Sequence, residues 1–238
     1  MAESEDRPAP RAQPKVAAFL TTLAHGSSPF ITTFLLIHLS APVLANLGGG
    51  SLASQVMLLG REYYQTPFGE KFLLLAPLGI HVASGMAKRI VSGAPSKRPR
   101  PMSSLLSITG YGILAFLPLH FITHRLLPVE ANLTDLDYEF VKIGLQTWPW
   151  RSWFMYTGLI GCVVLHAAEG MNIIASTWAG AAWAQWKGSK RTRRIAAGAG
   201  ALPVLTGLWI LFREPLMAFP SMARQFEETF TRSWVFRL

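Results

Sequence analysis

Long apolar runs broken by short polar, basic or proline-bearing segments dominate the chain. Five runs stand out: Ser28–Leu47, Phe72–Ala87 (extendable to Ile90), Ser103–His124, Ser152–Ser176 and Ala196–Phe212. Their lengths of 20, 16, 22, 25 and 17 residues bracket the span of about 20 apolar residues that a membrane helix needs. The pattern predicts an all-α polytopic membrane protein with about five transmembrane helices. The second and fifth runs are short and rely on snorkelling flanks, which Lys88 and Arg89 supply for the second. Ser27, Ser28 and Pro29 read as the start of the first span, and Trp148, Trp150 and Trp153 as an interfacial aromatic belt before the fourth.

Composition sharpens this picture. Half of the 238 residues are apolar and 15% are charged, against about 25% charged in an ordinary soluble domain. A soluble enzyme and a disordered tail protein are both disfavoured. The single Cys162 excludes a disulfide framework and any Cys-rich zinc or iron–sulfur site, and its apolar surroundings make it a small packing residue. No phosphate loop, dinucleotide fingerprint, zinc-protease motif or nucleophile elbow is present.

The net charge of +9 is a matter of topology. The N-terminal tail and the second and fourth interspan loops share one side and hold 13 Lys and Arg; the other side holds nine, beside nine acidic residues. The positive-inside tendency makes the N-terminus cytosolic and puts the C-terminus across the membrane. The basic runs Ser96–Pro101 and Lys187–Arg194 therefore face headgroups rather than nucleic acid.

Residues 1–15 are polar and proline-rich, and the sequence predicts disorder there. Three early acids, Glu3, Glu5 and Asp6, argue against a matrix presequence, and the absence of an apolar core argues against a secretory signal. Residues 16–213 form the five-span domain, and residues 214–238 read as a C-terminal, amphipathic segment interrupted by Pro220.

Six histidines are present: His25, His38, His81, His120, His124 and His166. Each of the first four runs contains at least one, and ionisable side chains inside spans usually face a bundle interior. His25 and His124 lie near span ends and read as interfacial. His81 opens H-V-A-S-G-M and His166 opens H-A-A-E-G-M, while His38 closes F-L-L-I-H and His120 closes F-L-P-L-H. His120 follows His38 by 82 residues and His166 follows His81 by 85. Residues 28–90 and 103–176 thus read as two copies of a helix pair, a parallel repeat about the membrane normal.

Such a two-fold sets His38 opposite His120 and His81 opposite His166, the arrangement that bis-imidazole ligation of haem b requires. Gly85 and Gly170, one turn after His81 and His166, remove side chains that would obstruct a macrocycle. Helix rise places His38 roughly 15 Å and His120 roughly 25 Å from the cytosolic side, while His81 and His166 mismatch by roughly 7 Å. The sequence therefore favours His81 and His166 as ligands of a haem iron. Interhelical hydrogen bonding is the competing role for all four. Glu169, the one carboxylate deep in a run, reads as an ion pair with Lys88 or Arg89, or else as a proton relay.

One histidine in each of four successive spans, with H-x-x-x-G after the second, resembles the membrane-anchor cytochrome b of succinate dehydrogenase and fumarate reductase. The resemblance implies a four-helix, cytochrome-b-like bundle, with haem on His38 and His120 and a second on His81 and His166. The H-R-x-[ST]-G segment of quinone-reducing anchors is replaced by H-G-S-S-P at His25–Pro29. G-I-H-V-A-S-G-M-A-K-R at Gly79–Arg89, the five spans and the proline-rich tail resemble more closely the fungal mitochondrial adapters of the Mdm-ten-complementing family. That resemblance implies the mitochondrial outer membrane, a non-enzymatic role in lipid homeostasis, and recruitment of a bridge-like lipid-transfer protein of the vacuolar-protein-sorting class. Its Pro-x-Pro element falls on Pro8 and Pro10. The alternatives are an electron-transfer cytochrome b subunit of the inner membrane and a haem carrier.

Overall fold

A computed structural model describes residues 13–91, 101–133, 136–182 and 189–237. Pro8, Pro10 and most of the proline-rich tail lie outside the described residues, as do Ser96–Arg100 and Lys187 of the basic loops. Among the described residues there are helices and no strands. Helix α1 runs Gln13–Tyr64 and is broken by a non-helical bend at Gly48–Gly49; α2 is Ala76–Val91, α3 Leu105–Phe121, α4 Tyr138–Thr147, α5 Pro149–Trp178, α6 Lys190–Arg213, α7 Pro220–Arg232 and α8 Trp234–Arg237.

Four helical segments are long and apolar enough to cross a membrane: Lys15–Tyr64, Leu105–Glu130, Pro149–Trp178 and Lys190–Arg213. The segment expected as the second span is also helical, as α2 and the turns before it. Glu70 and Lys71 at one end and Lys88 and Arg89 at the other shorten its apolar centre. Helix α1 begins at Gln13, so it runs straight through Ser27–Pro29, where a helix start was expected. The three residues before Val16, expected to be disordered, are its first residues.

Two π-helical turns have one cause. Gly69–Leu75 precedes α2 and Ile122–Leu126 extends α3, which continues to Glu130. Each turn ends just before the residue that precedes a proline, Pro77 or Pro128. Proline has no N–H and its ring crowds the carbonyl four residues back. The preceding amide instead reaches five residues back: Ala76 N–H donates to Lys71 O, and Leu127 N–H to Ile122 O.

The chain divides into two compact units, residues 13–34 with 64–91 and residues 35–63 with 101–237. These are not the two halves of the sequence repeat, because α1 contributes to both. In the smaller unit α2 lies along the N-terminal part of α1, where Lys88 Nζ donates to Thr21 Oγ1 at 2.5 Å.

In the larger unit, the core joins Ala41, Ala45 and Ala53 of α1 to Leu145 of α4, Ile160 of α5 and Val204, Leu208 and Leu211 of α6. Small residues let α1 and α6 touch: a Cβ on Gly207 would sit 1.7 Å from Pro42 O, the close approach that small residues permit in membranes. Asn46 Nδ2 bridges the pair, donating to Val43 O and Pro203 O at 2.8 Å each. Cys162 has the packing role expected of it, since its Sγ lies 2.5 Å from where a Cβ on Gly112 would be.

A second core joins α4 to the C-terminal segment through Leu136, Phe140, Ile143, Phe226, Phe230 and Phe236. Phe140 stacks on Phe230 with ring centres 4.4 Å apart. The apolar face of α7 is thus packed against protein. Trp148 joins this cluster through Phe230 and Phe236, and Trp153 packs on Trp209 and Phe212. Trp150 alone of the three expected belt residues stands out, at 89% exposure.

Candidate functional site

The histidines take up two kinds of position. His81 and His166 are fixed by the same device in separate units. His81 Nδ1–H donates to Ala24 O at 3.1 Å, and His166 Nδ1–H donates to Leu106 O at 3.2 Å. A buried hydroxyl sits beside each acceptor: Ser27 Oγ donates to Ala24 O at 3.0 Å, and Thr109 Oγ1 reaches Leu106 O at 3.4 Å. Ala24 and Leu106, like Ser27 and Thr109, are 82 residues apart. The repeat seen in the histidine motifs therefore extends to residues whose identities differ, because a backbone carbonyl serves as well on alanine as on leucine.

That device sets the tautomer. With Nδ1 protonated, Nε2 carries the lone pair, and a ligand histidine characteristically holds its other ring nitrogen on such a carbonyl. Space on the same helical faces is consistent with a bulky group. A Cβ on Gly85 would meet nothing within 4 Å, and one on Gly170 would meet only Leu106 Cδ1 at 4.0 Å. The two histidines belong to different units.

His38 and His120 lie together in the larger unit, with ring centres 6.0 Å apart and planes at 78°. With metal–imidazole bonds of about 2 Å, two rings on opposite sides of one iron would have centres roughly 6 Å apart. The helix-rise argument disfavoured this pair, and the structure corrects it. The continuous α1 has no end at Ser28, so depth counted from that residue misplaced His38.

His124, read as interfacial, is covered by aromatic side chains. Tyr156 Oη and His124 Nε2 are 3.1 Å apart, and the His124 ring packs edge-on against Phe140 and Phe230. The π-helical turn aligns His124 beneath His120, with ring centres 4.6 Å apart. A cavity of about 10 Å³ lined by His120, His124, Ser152, Tyr156 and Phe236 has room for about one water. Among the described residues no cluster of three or more His, Cys, Asp or Glu is arranged to hold a metal ion. A bis-histidine haem needs only two.

Glu169 finds counter-charges within its own unit. Its carboxylate pairs with Arg194 at 3.5 Å and Arg193 at 3.9 Å, both near the start of α6. The basic run of the fourth loop thus supplies its counter-charges.

A polar stitch outside the spans has no counterpart in the sequence reading. Lys142, 1% exposed, binds Glu139 at 2.5 Å and Glu214 at 3.7 Å. Glu139 Oε2 accepts from Met217 N at 2.7 Å and Ala218 N at 3.1 Å, and both Glu214 carboxylate oxygens accept from Gly50 N at 3.0 Å. Gly49, at φ +59°, makes this possible, because a Cβ there would lie 2.0 Å from Glu214 Oε1. The available signals were the Gly48-Gly49-Gly50 run at the end of a span and the Glu139/Lys142 spacing. Burial raises the Asp137 pKa against the opposing hydrogen bond from Glu139 N–H, through which Asp137 caps α4.

Residues 115–213 match the family described as MDM10-complementing protein 1, transmembrane domain. The match supports the family that the Gly79–Arg89 segment and the span pattern resemble, although the segment itself lies outside the matched residues. No curated protein and no solved structure matches the chain. The matched residues cover less than half of the chain, and its apolar helices are those of a membrane protein.

Proposed function

We propose that this protein is a non-enzymatic adapter of the mitochondrial outer membrane that holds a bridge-like lipid-transfer protein at contact sites. The observation that carries this reading is the family match over residues 115–213. In it the helices serve as the address, and the proline-rich tail with Pro8 and Pro10, on the cytosolic side, serves as the hook. Proline restricts such a peptide to extended conformations, so binding costs little further entropy. Deleting residues 1–12, which precede α1, abolishes recruitment of the transfer protein and leaves the chain in mitochondria. Undiminished recruitment by the deleted protein would sink the reading.

A second activity is supported by the 6.0 Å spacing of His38 and His120 and by the matching carbonyl anchors of His81 and His166. His38 and His120, within one unit, would hold one haem b, while His81 and His166, each in its own unit, are each fixed on one tautomer for such a group. When bound, such a group supplies reversible one-electron chemistry or a cargo to hand on. The chain's part is to fix the imidazole tautomers and to leave space at Gly85 and Gly170. Purified protein expressed with ample haem shows a sharp reduced b-type band, which His120→Ala diminishes. A featureless spectrum assigns the histidines to helix packing. Stable, reducible haem would favour the electron-transfer alternative, and readily exchanging haem the carrier.

A further inference from the structure

The larger unit carries a groove of about 400 Å³ between α1 and α6, lined by Val43, Leu44, Asn46, Leu202, Pro203 and Thr206. It is a shallow trough, open along one side. Its walls are apolar side chains, and its floor is rigid, because Gly207 sits against Pro42 O and Asn46 Nδ2 ties the helices together. Both walls belong to segments able to cross a membrane, so the medium facing the groove is lipid rather than water. Thr206 lies two turns before Arg213, roughly 10 Å along the axis, which sets the groove near the upper acyl region of one leaflet.

The polar atoms select among lipids. Both hydrogens of the Asn46 amide are committed to backbone carbonyls, while its Oδ1 accepts no hydrogen bond from the described residues. Thr206 Oγ1 donates to Leu202 O at 3.0 Å, which leaves only its acceptor capacity. The groove therefore offers acceptors and no donor. An exposed amide oxygen in a medium without water lacks a partner at a cost of order 1 kcal/mol or more. Phosphatidylcholine, with ester and phosphate acceptors and no N–H or O–H donor, relieves nothing. A lipid with one hydroxyl on an otherwise apolar body supplies the missing donor.

We propose that this groove binds a monohydroxyl lipid of the sterol type, its hydroxyl donating to Asn46 Oδ1 and its body lying along Leu44, Leu47 and Leu202. This site is separate from the histidines and from the tail, so neither reading above has to hold for it. The full chain is reconstituted in phosphatidylcholine vesicles with a diazirine-bearing cholesterol probe, and in parallel with a diazirine-bearing phosphatidylcholine. The sterol probe is expected to label residues 43–47 and 202–206 in competition with unlabelled cholesterol. Asn46→Leu lowers that labelling about fivefold, the worth of one hydrogen bond. Leu202→Trp fills the groove without touching the Asn46 bonds and lowers it at least as much, while Leu36→Trp, on another lipid-facing part of α1, leaves it unchanged. Equal labelling by the phosphatidylcholine probe, labelling spread evenly to the Leu36 and Trp209 faces, or indifference to Leu202→Trp would each mean annular lipid only and overturn the proposal.

Discussion

The stations of His81 and His166 use the same parts in different surroundings. Each has an imidazole Nδ1–H on a carbonyl of the preceding repeat helix, with a buried hydroxyl beside it. Around His81, Gly79 and Gly85 face open space. Around His166, a Cβ on Gly110 would meet the imidazole at 3.3 Å, Gly112 abuts Cys162, and Gly158 receives the Phe116 ring. A repeat can thus keep its polar geometry while its packing diverges. Hydrogen bonds tolerate little displacement, whereas apolar contacts can be rebuilt with other side chains.

The contrast extends to charges, and there the largest effect is expected. Lys142→Met leaves Glu139 and Glu214 facing each other without their buried cation, and should destabilise the larger unit by about 3–5 kcal/mol. Lys88→Met in the smaller unit removes a half-buried hydrogen bond to Thr21, worth about 0.5–1.5 kcal/mol. Thermal unfolding of the two variants in detergent checks this. Equal losses would show that the two units are stitched to the same degree.

A smaller effect separates the glycines. Gly158→Ala places a Cβ 2.5 Å from Phe116 Cζ, and the ring is also packed on Phe154. A net cost of about 1–3 kcal/mol is expected. Gly85→Ala meets nothing and should gain up to about 1 kcal/mol from helix propensity. Chemical denaturation of the purified protein compares them, and a cost at Gly85 would mean that its surroundings are packed after all.

Much of the architecture was legible because lipid imposes a simple rule. A segment in a bilayer must satisfy its own backbone, so apolar length alone marks a helix. The helical runs and the packing of Cys162 follow from local sequence. Helix ends were less legible: Ser27-Ser28-Pro29 has the chemistry of an N-cap, yet α1 continues through it. A serine hydroxyl can equally bond back into its own helix, as Ser28 does to Ala24 O. Nearness to the end of an apolar run likewise did not foretell the aromatic cover that His124 receives from α4 and α7.

By itself the sequence determined the apolar helices, the residues of the internal repeat and the four histidines within it. These depend on periodicity, run length and local identity, which need no partner. The pairing of His38 with His120, the Arg193 and Arg194 partners of Glu169, the Lys142 stitch and the acceptor-lined groove were decided only by tertiary structure. Each depends on which faces of distant helices meet. That is set by close approaches such as Gly207 on Pro42 and by the bend at Gly48–Gly49, whose consequences appear many residues away.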